Sequence, residues 1–220
     1  MKTLSIKECL TFGWGTFRTR AWFFMSATAL LFIASMVYGE LSSFSKADHT
    51  FIGFVAGIIA LVLSLLIYMS QVSFSLHAHD APGTVRLNAL WTLRPFWTFM
   101  GTALLVWIIT MIGFVLLIVP GVIAMVFLSF ATYIAVDTGA KPIDALKRSI
   151  ALTKGNRWKL FLLLLACIGI DILGALALLV GLLVSVPITL LAMAHAYRVL
   201  RNGQEEVPAV EVRDDAVIKS

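Results

Sequence analysis

The stretch from Pro95 to Val136 reads PFWTFMGTALLVWIITMIGFVLLIVPGVIAMVFLSFATYIAV and contains no charged residue. As a single helix, 42 residues would extend about 63 Å, twice the hydrocarbon core of a bilayer, which is about 30 Å thick. The stretch must therefore fold back on itself. The dipeptide Pro120-Gly121 is a common turn pair, and it predicts spans at about residues 97–118 and 121–136.

Charge-free runs on either side of this stretch predict further spans, because ionised groups are costly at the bilayer centre. One run extends from Ala21 to Gly39 and another from Phe51 to Leu76. The run from Leu160 to Tyr197 is interrupted only by Asp171 and is also too long for one span, so we predict a turn at Gly181. The sequence thus predicts an all-α integral membrane protein with six transmembrane helices in three hairpins.

The composition agrees with a membrane protein and disfavours most enzymes. Of the 220 residues, 60% are apolar and only 13% are charged, and the mean hydropathy is +0.95. Six spans would use about 120 positions and leave too few for a separate soluble catalytic domain. No catalytic triad, paired carboxylates or phosphate-binding loop can be identified. We therefore expect no catalytic residues and no cofactor.

Cysteine and histidine usage predicts no metal site. Cys9 and Cys167 are too few for a disulfide framework or a cysteine metal site. His77 and His79 are two positions apart on a predicted helix, so they point to different faces.

Basic residues are distributed asymmetrically along the chain. Sixteen of the 17 Lys and Arg residues fall on one predicted side of the membrane, and only Lys46 falls on the other. By the positive-inside rule, both termini are expected in the cytoplasm. We attribute the net charge of +5 to basic residues beside the membrane, and we therefore expect no nucleic-acid partner.

A cleaved signal peptide is not expected, because the first apolar run is span-length and lacks a clear cleavage site. The tail, 202–220, is predicted to be disordered.

The hairpins resemble an internal threefold repeat. Trp22, Trp97 and Trp158 each follow a basic residue and each open an odd-numbered span, and Gly113 matches Gly174 at a 61-residue offset. The predicted copies of this single domain, 1–201, are residues 1–80, 81–137 and 138–201.

Each copy is preceded by an amphipathic segment that is predicted to lie on the cytoplasmic membrane surface. The third begins at Pro142 and stops near Gly155. Its predicted apolar face carries Ile143, Leu146, Ile150 and Thr153. The residues predicted to bind anionic lipid headgroups are Lys147, Arg148, Lys154 and Arg157. The apolar faces of the first and second segments carry Ile6, Leu10, Trp14 and Phe17, and Leu87, Leu90 and Trp91, respectively. The alternative is that these segments are connectors packed on the spans, and both readings can hold.

Three short motifs carry a family resemblance: IVPG at 118–121, PIDALKRS at 142–149 and LTKGNRW at 152–158. They resemble the bacterial membrane-protein group that includes the YciC-type uncharacterised proteins. They are also similar to the membrane domain attached to some glycerophosphodiester phosphodiesterases. The likeness covers about residues 115–162. It implies a bacterial inner-membrane protein, and because the motifs carry no catalytic residues it does not imply hydrolysis.

Asp171 is the strongest single candidate, because an ionisable group inside a predicted span is by default a functional hypothesis. It follows Trp158 by 13 residues, about 20 Å along a helix. Ser35 and Thr110 fall at the same predicted depth, His195 is its predicted partner, and Ser129 is another intramembrane polar candidate. Either Asp171 makes a structural polar contact between helices, or it belongs to an ion or proton pathway.

The sequence therefore favours a non-catalytic membrane-organising or lipid-associated protein. Its expected partners are membrane lipids with anionic headgroups and a membrane protein. The alternative is a small transporter or channel that uses the polar level around Asp171.

Overall fold

The computed structural model describes residues 4–19, nine helical positions between 21 and 36, and residues 51–80, 96–177 and 181–205. Within these residues the chain is helical and contains no strand. The helices are α1 (Ile6–Thr19), α2 (Phe51–Asp80), α3 (Phe96–Leu116), α4 (Ile118–Leu128), α5 (Ala131–Thr138), α6 (Pro142–Thr153), α7 (Arg157–Leu176) and α8 (Leu182–Glu205).

Five described helical segments are long and apolar enough to cross a membrane, which confirms the all-α membrane class. They are Leu61–Asp80, Phe96–Leu116, Ile118–Thr138, Arg157–Leu176 and Leu182–Gly203. Most of the predicted first span, 21–39, and all of the second amphipathic segment, 87–91, lie outside the described residues. The six-span count therefore stays a prediction.

The reversal between α3 and α4 lies at Leu117, so the predicted turn at Pro120-Gly121 was wrong by three residues. Leu117 is extended, with φ −168° and ψ 155°, and α4 starts immediately after it. Pro120 and Gly121 occupy the first turn of α4. A proline is tolerated there, because the first amides of a helix have no intrahelical acceptor. The dipeptide lies within the first turn of the helix and does not form the reversal.

A glycine pair closes each of the two described hairpins. A Cβ added at Gly113 would lie 2.9 Å from the Cα of Gly121, and one added at Gly181 would lie 2.8 Å from the Cα of Gly174. Backbones can approach this closely only where side chains are absent. Gly181 lies in the connection between α7 and α8.

The span that contains α4 and α5 breaks at Ser129-Phe130, and α6 occupies the break. The Ser149 hydroxyl donates to the Phe127 carbonyl over 2.8 Å and accepts from the Phe130 amide over 3.3 Å. Both backbone groups are released by the break and would otherwise be unpaired. Ser149 is fully buried, so α6 is fixed to the bundle at this point.

Two helices organise the core. α8 packs on α1, α2 and α7, and α5 packs on α2, α3 and α6. The largest buried side chains of this core include Phe99, Phe130, Leu160 and Tyr197. α8 continues to Glu205, which places residues 202–205 of the predicted tail in a helix. Residues 206–220 lie outside the described part of the chain.

Candidate functional site

Asp171 faces α8 from α7, and the Thr189 hydroxyl of α8 lies near its carboxylate. The Thr189 Oγ1 lies 3.4 Å and 3.5 Å from the two carboxylate oxygens of Asp171 and also donates to the Val186 carbonyl over 3.0 Å. The predicted pairing of Asp171 with His195 was wrong. His195 lies six residues after Thr189, about 9 Å further along the axis. The level of Asp171 on α8 is therefore that of Thr189.

His195 pairs instead with His79 of α2. The Nδ1 of His195 and the Nε2 of His79 are 3.1 Å apart. The Phe12 ring of α1 stacks on His195, with centroids 4.4 Å apart, and is tilted against His79 at 4.7 Å. Three helices thus meet at one histidine pair.

An ion-pair network lies beside this pair and joins the ends of α2, α5 and α8. The Arg198 guanidinium donates to Asp80 from Nε and to Asp137 from Nη1, each over 3.0 Å. Asp137 also accepts from Arg201 and, over 2.8 Å, from the buried Tyr197 hydroxyl. Two carboxylates and two guanidiniums balance in charge, so the network ties the helices together and does not form an open anion site.

Sequence reasoning missed this network, although a signal was present. Asp80, Asp137 and Arg198 each stand close after the end of a charge-free run that forms an even-numbered span. Equivalent positions of a repeat lie at the same end of a helix bundle. The opposite charges at these positions could therefore have been predicted to form ion pairs.

Two of the intramembrane polar candidates, Thr110 and Ser129, line one cavity. The Ser129 hydroxyl donates to the Val126 carbonyl over 2.9 Å. The Thr110 hydroxyl oxygen is buried and has no hydrogen-bond partner among the described residues. Ser35 lies outside the described residues. Asp171 is not among the described residues that line this cavity.

The four basic residues predicted to bind headgroups divide into two classes. Lys147, Arg148 and Lys154 are exposed. Arg157 is partly buried, and its guanidinium carbon lies 3.8 Å from the centre of the Phe127 ring, a cation–π contact. The Arg157 Nε is buried with no partner among the described residues.

Cys9 of α1 is buried, and α1 packs on α8. Burial, and secondarily the charge of Glu8, raise the pKa of the Cys9 thiol to about 11. Cys167 is also buried. Among the described residues, no group of three or more His, Cys, Asp or Glu side chains is arranged to hold a metal ion.

Comparison with known proteins gives family membership without an activity. Over 103 residues the chain is 36% identical to Uncharacterized protein Rv2560 of Mycobacterium tuberculosis (strain ATCC 25618 / H37Rv), and also to Uncharacterized protein Mb2590 of Mycobacterium bovis. Each match covers 47% of this chain and 32% of the relative, so the chain spans about a third of the length of these curated relatives. No solved structure matches the chain. Residues 86–215 match the model of a family described as a domain of unknown function, DUF7847, and the chain therefore belongs to that family.

Proposed function

We propose that this protein is a non-catalytic, multi-pass component of the bacterial inner membrane that associates with lipid through α6. The observation that carries the proposal is the exposure of isoleucine beside lysine on a helix whose opposite face is buried. Ile143 and Ile150 are 61% and 40% exposed. The buried face of the same helix carries Ala145, Ser149, Leu152 and Thr153.

The spacing on α6 suits a membrane surface. Ile143 and Ile150 are seven residues apart, as are Lys147 and Lys154, and seven residues make about two helical turns. The isoleucines therefore form one stripe and the lysines form a neighbouring one. An exposed apolar stripe flanked by lysine is the arrangement that inserts among lipid headgroups, with each lysine attracted to anionic lipid.

Exposed tryptophans support a membrane interface at this end of the bundle. Trp97 and Trp158 are 77% and 70% exposed, at the starts of α3 and α7. Tryptophan prefers the headgroup level of a bilayer. α6 precedes α7 directly, so α6 lies at the same level as Trp158.

The orientation we propose is six spans with both termini and α6 in the cytoplasm. The support is the 16-to-1 distribution of basic residues. Cysteine labelling or reporter fusions at Asp48, Lys141 and Ser220 should report outside, inside and inside. An outside signal at Lys141 would overturn the six-span topology.

The lipid role is tested with the full-length protein in nanodiscs of mixed phosphatidylglycerol and phosphatidylcholine. We expect phosphatidylglycerol to be enriched among the lipids that remain bound after extraction. Lys147→Gln with Lys154→Gln should lower this enrichment, and high salt should lower it in the wild type.

The control removes the same charge from other faces, with Lys7→Gln and Arg148→Gln. Both positions are exposed, and neither lies beside the isoleucine stripe. If the control pair lowers the enrichment as much as Lys147→Gln with Lys154→Gln does, the effect is one of net charge and the assignment to the lysine stripe of α6 is wrong.

A further inference from the structure

We propose that the cavity between α2, α3 and α5 holds one acyl chain of a bilayer phospholipid. The cavity has a volume of about 880 Å³, within the range of pockets that bind small ligands. This inference rests on the proposed lipid-associated role and extends it from the surface of α6 to the interior. It is supported by separate observations on depth, lining and charge.

The depth of the cavity matches one leaflet. Its lining residues on α3 begin at Met100, three residues after Trp97, and end at Thr110. Ten residues of helix measure about 15 Å, half of the hydrocarbon core of about 30 Å. The cavity therefore extends from just below the level of Trp97 to about the midplane, as an acyl chain of that leaflet does.

The lining suits an apolar occupant. Aliphatic and aromatic side chains dominate it, among them Leu61, Leu65, Leu104, Val106 and Trp107.

Most hydroxyls around the cavity already have partners within the protein. Ser64 donates to the Leu61 carbonyl over 2.8 Å, and the Tyr68 and Thr132 hydroxyls are 3.3 Å apart. A hydrocarbon chain would leave none of these hydroxyls without a hydrogen-bond partner, whereas a polar solute would gain few hydrogen bonds from them. Thr110 is the exception, and it lies at the deep end of the cavity.

The charge at the shallow end suits a phosphate. Gly101 lines the cavity, and a Cβ added there would lie 2.8 Å from the Cγ of Pro142, the first residue of α6. The exposed Lys141 precedes Pro142 directly. A lipid whose chain enters beside Gly101 thus has its anionic phosphate at the level of a lysine, which provides charge complementarity as well as an apolar site.

The test uses full-length protein in vesicles of phosphatidylcholine that contain a phosphatidylcholine probe with a diazirine near the end of one acyl chain. After photolysis and digestion, we expect cross-links at the deep end of the cavity, on α3 at Thr110 and on α2 at Leu61 and Leu65. Val106→Trp, which fills the cavity from α3, should abolish them. Val115→Trp makes the same substitution on the same helix at a position that is 78% exposed and outside the cavity, so it should leave them intact.

Ser64→Trp fills the cavity from the opposite wall and serves if Val106→Trp does not fold. Cross-links in the wild type that spread over outward-facing positions, with none concentrated in the cavity, would overturn the inference. So would cavity cross-links that persist in either folded tryptophan variant. Thr110→Val preserves shape but removes the deep hydroxyl. A loss of labelling in this variant would indicate an occupant with a polar deep end and would contradict an acyl chain.

The two proposals fail separately. Chain labelling in neutral vesicles does not depend on the lysines of α6, so it can persist when phosphatidylglycerol enrichment is absent. Conversely, enrichment can persist when the cavity remains unlabelled. Lys141→Gln links the two, because it should reduce cavity labelling by a phosphatidylglycerol probe relative to a phosphatidylcholine probe.

Discussion

His79 and His195 lie on different spans, yet the Nε2 of one is 3.1 Å from the Nδ1 of the other. One ring must donate and the other accept, so each satisfies a polar group of the other at the contact between α2 and α8, beside the Asp80–Arg198 ion pair. We expect His79→Ala to lower the free energy of unfolding by about 1–2 kcal/mol. Thermal unfolding in detergent measures this, with His77→Ala as the control. His77 is on the same helix, but it is exposed and bonds only within that helix.

A double-mutant cycle sharpens this test. If the two rings interact directly, His79→Ala with His195→Ala should cost less than the sum of the single substitutions. Strict additivity would show that the two histidines are neighbours without a shared bond.

Asp137 is the hub of the ion-pair network, because Tyr197, Arg198 and Arg201 all donate to it. Its side chain is 13% exposed, so losing the charge removes one of the two carboxylates that compensate Arg198. We expect Asp137→Asn to reduce the free energy of unfolding by about 2 kcal/mol. Asp144→Asn removes the same charge from an exposed position on α6 and should have little effect. Equal melting temperatures for the two variants would contradict the structural role of the network.

Gly174 and Gly169 form a matched pair on α7. A Cβ at Gly174 would lie 2.9 Å from the Cβ of Ser185, whereas one at Gly169 would meet no atom within 4 Å. Gly174→Ala should therefore push the α7–α8 hairpin apart and lower thermal stability. Gly169→Ala should be neutral or stabilise by up to about 1 kcal/mol through helix propensity. The reverse order of melting temperatures would show that the hairpin does not close at this glycine.

Asp171 distinguishes the lipid-associated protein from a transporter. Its contact with Thr189 is polar and can be made by an amide, so Asp171→Asn should leave thermal stability nearly unchanged. Proton flux in proteoliposomes at matched protein density is the measurement. We expect no difference between wild type and variant, because a structural contact carries no proton. A wild-type flux that disappears in Asp171→Asn would replace our proposal with the transporter.

Cys9 should resist alkylation in the folded protein. The reactive species is the thiolate, and a pKa of about 11 leaves very little of it near neutral pH. In a Cys167→Ala background, maleimide labelling at pH 7.5 should be slow until the protein is unfolded in dodecyl sulfate. Lys147→Cys provides an exposed thiol for comparison. Rapid labelling of folded Cys9 would show that α1 does not stay packed on α8.

The sequence predicted the described spans because the length of a run without charged residues can be read directly from the sequence. Contacts between distant segments were harder to predict. The break at Ser129-Phe130 depends on a hydroxyl 19 residues away, and nothing in the local pattern indicates it. The partner of Asp171 was misassigned because the register of α8 against α7 depends on how the two helices pack, and the local sequence does not specify it. The pairing of His79 with His195 spans 116 residues and follows from the packing of α2 on α8.

The two hydrogen bonds of Ser149 make α6 and the break between α4 and α5 a single mechanical unit. α6 cannot lift from the bundle without releasing the Phe127 carbonyl and the Phe130 amide at once. A displacement of α6 would therefore be transmitted to the bend between α4 and α5. The wall of the cavity includes Leu128 and Ser129, so such a displacement would also alter the shape of that space.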